Sequence, residues 1–214
     1  MTPRLGILIS GRGSNMVAIL DAIAAGRIDA KAAIVVSNDP TAKGLETAAA
    51  QGIETAGFDH RSFETREAFD AAAHAALTAA GVDLVICAGF MRIMTPVLIA
   101  PWTGRMLNIH PSLLPAFRGL NTFQRALEAG CAVAGCTVHE VTQELDAGRI
   151  LGQGVVPVLP GDTASSLDQR ILPLQHRLYP AVVSAFIRDA EGLRRAPMAM
   201  LAGFGTQPLD QAAP

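Results

Sequence analysis

Asn108 and His110 stand two residues apart in a short apolar run that ends at Pro111. In a strand, residues two apart point to one face. Both side chains would then address one pocket while Ile109 turns into the core. Pro111 disfavours the helical region for His110 and keeps it extended. The residue types suit a carbonyl substrate. An Asn carboxamide is a neutral donor and a protonated His a charged one. Together they would stabilise the oxyanion of a tetrahedral intermediate. His also exchanges protons near neutral pH. A lone His at a strand end is more often structural, but the paired Asn and the flanking prolines, Pro111 and Pro115, favour chemistry.

Two further stretches bear on the same question. Ser10-Gly11-Arg12-Gly13-Ser14-Asn15 lies between an apolar run and a helical pattern. Glycines let backbone approach an anion, and a helix N-terminus offers unpaired N–H groups and partial positive charge. The loop is neither a Walker A motif nor a full GxGxxG, since Met16 takes the third glycine's place. The alternative is a plain tight turn with Ser14 or Asn15 as helix cap. Asp146, in the polar turn Gln143-Glu144-Leu145-Asp146-Ala147-Gly148, reads either as an Asx-turn residue before a glycine of special dihedral or as a carboxylate brought against His110, where it would favour the imidazolium. His139 competes for the catalytic role, but no Asn precedes it by two residues, and it reads as structural.

The elements that must position these residues alternate. Strand-like runs at 5–10, 33–37, 52–56 and 83–88 interleave with helical patterns at 15–25, 41–51 and 62–80, the last opened by Ser62. That alternation predicts an α/β fold, a mostly parallel central sheet flanked by helices. Beyond about Pro101 come a strand at 105–109, a short helix at 122–129 and two β-rich stretches, 133–142 and 150–158, expected to lie side by side. A helix follows from about Thr163 towards Ala190, with a kink or break at Pro173. One domain over 1–190 is expected, with a tail at 191–214 that packs on the domain or extends from it. Ligands of open α/β sheets gather beyond the carboxyl ends of strands, where Asn108 and His110 would stand.

Composition narrows the classes. The chain has 214 residues, half of them hydrophobic and 17% charged, with a net charge of −2. That is core enough for one large domain, and no basic field is available to gather phosphates of nucleic acid or a membrane surface. Three cysteines without CxxC spacing fit neither a disulfide framework nor a metal site, and Cys87 reads as a core residue. No signal peptide or membrane span is visible, so a cytoplasmic protein is expected.

Four stretches in order carry a resemblance: Ile-Ser-Gly-Arg-Gly-Ser-Asn at 9–15, Ala-Gly-Phe-Met-Arg-Ile-Met at 88–94, Leu-Asn-Ile-His-Pro-Ser-Leu-Leu-Pro at 107–115, and Glu-Leu-Asp-Ala-Gly at 144–148. From Arg4 to about Ala190 the chain resembles the folate-dependent formyltransferases, and its early loop resembles the branch that acts on glycinamide ribonucleotide (GAR). The resemblance implies a single-domain, Rossmann-like fold and transfer of a formyl group from 10-formyltetrahydrofolate to the GAR amine in purine biosynthesis. It assigns Asn108, His110 and Asp146 to catalysis, with Asp146 acting on His110. Gly13, Ser14 and Asn15 would hold the GAR phosphate and Gln175 its ribose. Arg66, Met91, Arg92, Ile93, Met94 and Asn108 would line the formyl-folate site. Neither metal nor nucleic acid nor membrane is implied, and the protein would be a monomer or weak homodimer. Members often carry His where this chain has Asn121 or Phe123, and Glu where it has Gln175. Within the family, the deformylases usually carry an N-terminal regulatory domain and the methionyl-tRNA enzymes a C-terminal nucleic-acid-binding domain. The strand starting near Met1 and the short neutral tail speak against both.

Overall fold

In the computed structural model, which describes residues 2–203, the predicted apolar runs all become strands of one sheet. These are β1 (Arg4–Ile9), β2 (Lys31–Ser37), β3 (Glu54–Gly57), β4 (Leu84–Cys87), β5 (Met106–His110), β6 (Val133–Glu140) and β7 (Ile150–Pro157); an eighth strand that the sequence did not predict, β8 (Met198–Leu201), joins them. Their spatial order is β3-β2-β1-β4-β5-β6-β7-β8. All neighbours pair parallel except β6, which runs antiparallel to both β5 and β7. The mostly parallel α/β sheet and the side-by-side pairing of the two β-rich stretches agree with expectation.

Alternation along the strands divides the core. Ile7 and Ile9 of β1 and Leu107 and Ile109 of β5 join a cluster packed under α1 (Ser14–Ala24) and α6 (Ala164–Arg195). Leu8, Val36 and Cys87 face the other way, onto Phe69 and Leu77 of α3 (Arg66–Ala79) and Trp102. Complete burial raises the Cys87 thiol to about 12, which makes it the inert core residue expected. The remaining helices are α2 (Lys43–Ala49), α4 (Pro96–Ile99) and α5 (Thr122–Glu128).

Two helix boundaries differ from the sequence reading. Ser62 does not open α3. The Ser62 hydroxyl donates to Asp59 O and the Arg61 N–H to the Asp59 carboxylate, closing a short 3-10 turn at His60–Ser62. Thr65 is the true cap, accepting from Ala68 N at 3.1 Å. Pro173 does not break α6 either. The carbonyl it deprives of a partner belongs to exposed Gln169, which water can satisfy, while buried Leu167, Ile171, Leu174 and Leu178 hold both sides of the proline on the sheet. The break falls at Asp189 (φ −156°, ψ 82°), whose carboxylate accepts from Gly192 N and caps a new final segment. That segment ends at Arg195, and β8 then adds the eighth strand. The tail beyond residue 203 lies outside the described residues.

One side chain ties α6 to the strands that carry the site. Tyr179 is wholly buried, and its hydroxyl lies 3.0 Å from the carbonyls of both Cys87 and Leu107. Burial drives its ionisation well above the ordinary phenol range, so the hydroxyl acts only as a neutral donor. Tyr179→Phe is expected to lose about 1–2 kcal/mol, lowering the thermal midpoint by about 2–8 °C. Thermal and urea denaturation check this; an unchanged midpoint would show the bond contributes nothing net.

Candidate active site

The chain builds β1, β2 and β3 to one side and then β4 and β5 to the other, so the sheet reverses direction between β1 and β4. Such a switch point leaves a crevice beyond the strand ends. Here a cleft of about 280 Å³ is lined by the loop 10–15 and by Ala88, Gly89 and Met91. Gly13 occupies the N-cap position of α1 in the left-handed region, φ 71°, and no side chain caps the helix. Neither Ser14 nor Asn15 is a cap; both lie in the first turn, whose N–H groups lack intrahelical acceptors. The loop is backed by α2. Gly44 N donates to Gly11 O at 3.0 Å, and a Cβ on Gly44 would lie 2.9 Å from that oxygen. Asn15 is buried, its Nδ2 donates to Gln175 Oε1 at 2.9 Å, and its Oδ1 has no partner. The predicted phosphate and ribose contacts thus stand side by side.

Ser10 joins this loop to the next. Its hydroxyl donates to Asn38 Oδ1 and accepts from Met91 N. The segment 89–95 begins there and is fixed at its far end by Asp70, whose carboxylate accepts from Thr95 N at 2.5 Å. Burial pushes the Asp70 carboxyl upward. Met91 and Ile93 are exposed. Arg92 turns its guanidinium over the Phe69 ring, 4.5 Å from the centroid, and Met94 packs on the same cluster. Arg66 stands exposed at the first residue of α3.

Asn108 and His110 sit on β5 as the two-residue spacing predicted, on the face opposite Leu107 and Ile109. Antiparallel pairing sets His139 directly across from Asn108, on the same face. The turn between β6 and β7 folds over this face and delivers Asp146. Gly148 is required not for its dihedral but for space, since a Cβ there would lie 1.7 Å from Glu140 O. The special dihedral belongs to Asp146 itself, φ 49°, a conformation Asp and Asn tolerate best among side chains.

The carboxylate bridges two histidines. Asp146 Oδ2 lies 3.4 Å from His110 Nδ1 and accepts from Gly119 N at 2.9 Å, while Oδ1 lies 3.7 Å from His139 Nε2. His110 Nε2 lies 3.1 Å from Phe117 O. A carbonyl only accepts, so Nε2 carries hydrogen, and both ring nitrogens of His110 face acceptors. An exposed Arg118–Glu144 pair, 2.6 Å apart, joins the loop carrying Phe117 to the turn carrying Asp146. Phe123 packs against the core and lines a small cavity with Leu113, Phe117 and Val133, and Asn121 holds the left-handed N-cap of α5.

His139, which the sequence presents as structural, stands within this cluster. It is buried, its Nε2 lies 3.2 Å from Asn108 Nδ2, and its Nδ1 lies 2.9 Å from Glu140 O. The signal that would have found it is strand register, which no spacing within β5 or β6 reveals.

The formyl transferase family profile matches residues 3–183, a span that includes the loop, the Asn–x–His strand and the bridging carboxylate. The chain belongs to the formyl transferase family. Phosphoribosylglycinamide formyltransferase of Escherichia coli is 43% identical over 180 residues, covering 84% of this formyl transferase and 85% of the relative. The human trifunctional purine biosynthetic protein adenosine-3 is also 43% identical over 180 residues, but this formyl transferase spans only 18% of that relative's length. Glycinamide ribonucleotide transformylase 1 from Symbiobacterium toebii superposes with a TM-score of 0.85 at 48% identity, covering 87% of this chain and 88% of that one.

Proposed function

We propose that this formyl transferase moves the formyl group of 10-formyltetrahydrofolate to the amine of GAR, giving formyl-GAR and tetrahydrofolate in purine biosynthesis. The observation that carries this reading is the joining, along one end of the sheet, of an anion-ready glycine loop and an Asn–His–Asp cluster suited to an oxyanion. Similarity to enzymes named for the same reaction supports it.

The loop 13–15 takes the phosphate on its free N–H groups, and Gln175, bonded to Asn15, holds the sugar. Formyl-folate lies along 91–94, with Arg66 at its charged end. The amine nitrogen of GAR attacks the formyl carbon, forming a C–N bond while the carbonyl π pair moves to oxygen. That oxygen takes the place of Phe117 O on His110 Nε2–H and receives a second N–H from Asn108. As the tetrahedral intermediate collapses, the bond from carbon to the folate nitrogen breaks. The proton lost by the amine reaches that nitrogen through His110 or an ordered water. The carboxylate of Asp146 balances the charge on His110 whenever the ring is protonated. This route calls for neither metal nor covalent intermediate. A cytoplasmic monomer or weak homodimer is the setting we propose; no helix among the described residues is long and apolar enough to cross a membrane.

Mixing the protein with 10-formyltetrahydrofolate, with and without GAR, tests the reading. Folate release that requires GAR is expected. Release without the amine would make the protein a deformylase instead, and no release in either case would leave only a ligand-binding role.

A further inference from the structure

His139 offers more than packing, because hydrogen bonding fixes which of its nitrogens carries hydrogen. Glu140 O, 2.9 Å from Nδ1, can only accept, so Nδ1 must donate. In the neutral ring Nε2 is then a bare acceptor, and Asn108 Nδ2 lies 3.2 Å from it. We propose that His139 is a positioning residue, its neutral Nδ1–H tautomer accepting from Asn108 and so aiming the second Nδ2–H at the reacting oxygen. This deepens the formyl-transfer reading and rests on it.

Two consequences follow from the same lone pair. Were the Asn108 carboxamide flipped, its oxygen would face the bare Nε2, lone pair against lone pair. The acceptor on His139 therefore selects the orientation in which Asn108 is a donor. A bare Nε2 also makes no hydrogen bond to Asp146 Oδ1 at 3.7 Å, which leaves the carboxylate to His110. A protonated His139 would reverse both: it would release Asn108 and draw Asp146 away. Burial opposes that state and lowers the protonation range of His139, outweighing the Glu140 carbonyl and the Asp146 charge, which favour it. The groups facing the ring are Asp146 from the turn and His110 from β5, while the Glu140 carboxylate is engaged by Arg194 of α6 at 2.7 Å.

A pair of substitutions separates this role from a structural one. An Asn side chain can reproduce the Nδ1 donor to Glu140 O, whereas a Gln side chain can place an oxygen where Nε2 stood. His139→Gln is expected to keep kcat within about fivefold of wild type, and His139→Asn to lower it about tenfold to hundredfold with little change in either KM, less than the loss of a whole oxyanion donor. The acid limb of the wild-type rate profile, where activity falls as His139 takes a proton, should move to lower pH in His139→Gln. Equal impairment of the two variants, or near-normal kcat in a folded His139→Asn protein, overturns the proposal. Nitrogen-15 spectra of the wild-type imidazole supply a readout independent of turnover. At neutral pH they should show hydrogen on Nδ1 and a bare Nε2; the opposite tautomer overturns the proposal even if formyl transfer is confirmed. Failure of wild-type turnover would instead strike the formyl-transfer reading.

Discussion

Asp146→Asn is expected to lower kcat by about 10³-fold while the fold survives, somewhat less than the loss of about 10⁴ known where the carboxylate that orients a catalytic histidine of a serine protease becomes an amide. The structure explains both halves of that expectation. Asn tolerates the left-handed backbone at φ 49°, and its carboxamide oxygen can keep the bond from Gly119 N. Its carboxamide nitrogen would take the place of Oδ1, 3.7 Å from His139 Nε2. What disappears is the negative charge 3.4 Å from His110 Nδ1. At an effective dielectric near 20 that charge interacts with an imidazolium by on the order of 4 kcal/mol, which corresponds to about three decades in rate. Steady-state kinetics with a thermal denaturation control checks this. Turnover near wild type in a folded variant would remove Asp146 from the mechanism.

Gly44→Val acts at a distance from the chemistry and should move a different parameter. The glycine loop proposed to hold the phosphate rests directly on α2, with the Gly44 N–H bonded to Gly11 O and the Gly13 backbone alongside. A Cβ at Gly44 would lie 2.5 Å from Ile9 Cδ1 and 2.9 Å from Gly11 O. The isoleucine tip can shift, but the carbonyl can move only by carrying the loop with it. Displaced N–H groups bind phosphate less well by about 1.4–3 kcal/mol, raising the KM for GAR about tenfold to hundredfold. The KM for formyl-folate and kcat should stay within about threefold, because Asn108 and His110 stand on a different strand. Overpacking will also lower stability by about 1–3 kcal/mol, so kinetics belong well below the variant's midpoint. An unchanged KM for GAR would show that the loop does not hold the phosphate.

The sequence by itself determined the alternating strands and helices, because apolar runs of strand length and apolar spacings of helix length need different local geometries to bury their side chains. It determined that Asn108 and His110 share a face, since the two-residue period of a strand depends on nothing outside the strand. The glycine loop was equally local. What the sequence could not determine is whatever depends on which segments meet. Ser62 looked like a cap because a hydroxyl before a helical pattern has the right chemistry, but its bond to Asp59 spent it on an earlier turn. Pro173 looked like a break because the packing that holds it comes from the sheet. Asp146 was only a turn residue until the turn, given room by Gly148, folded over β5 and β6. His139 was a stray histidine until antiparallel register set it across from Asn108. Asn108 and His110 alone can offer hydrogen bonds to an oxygen. Only the tertiary structure surrounds them with Phe117 O, His139 and the buried carboxylate of Asp146, neighbours that come from other segments of the chain.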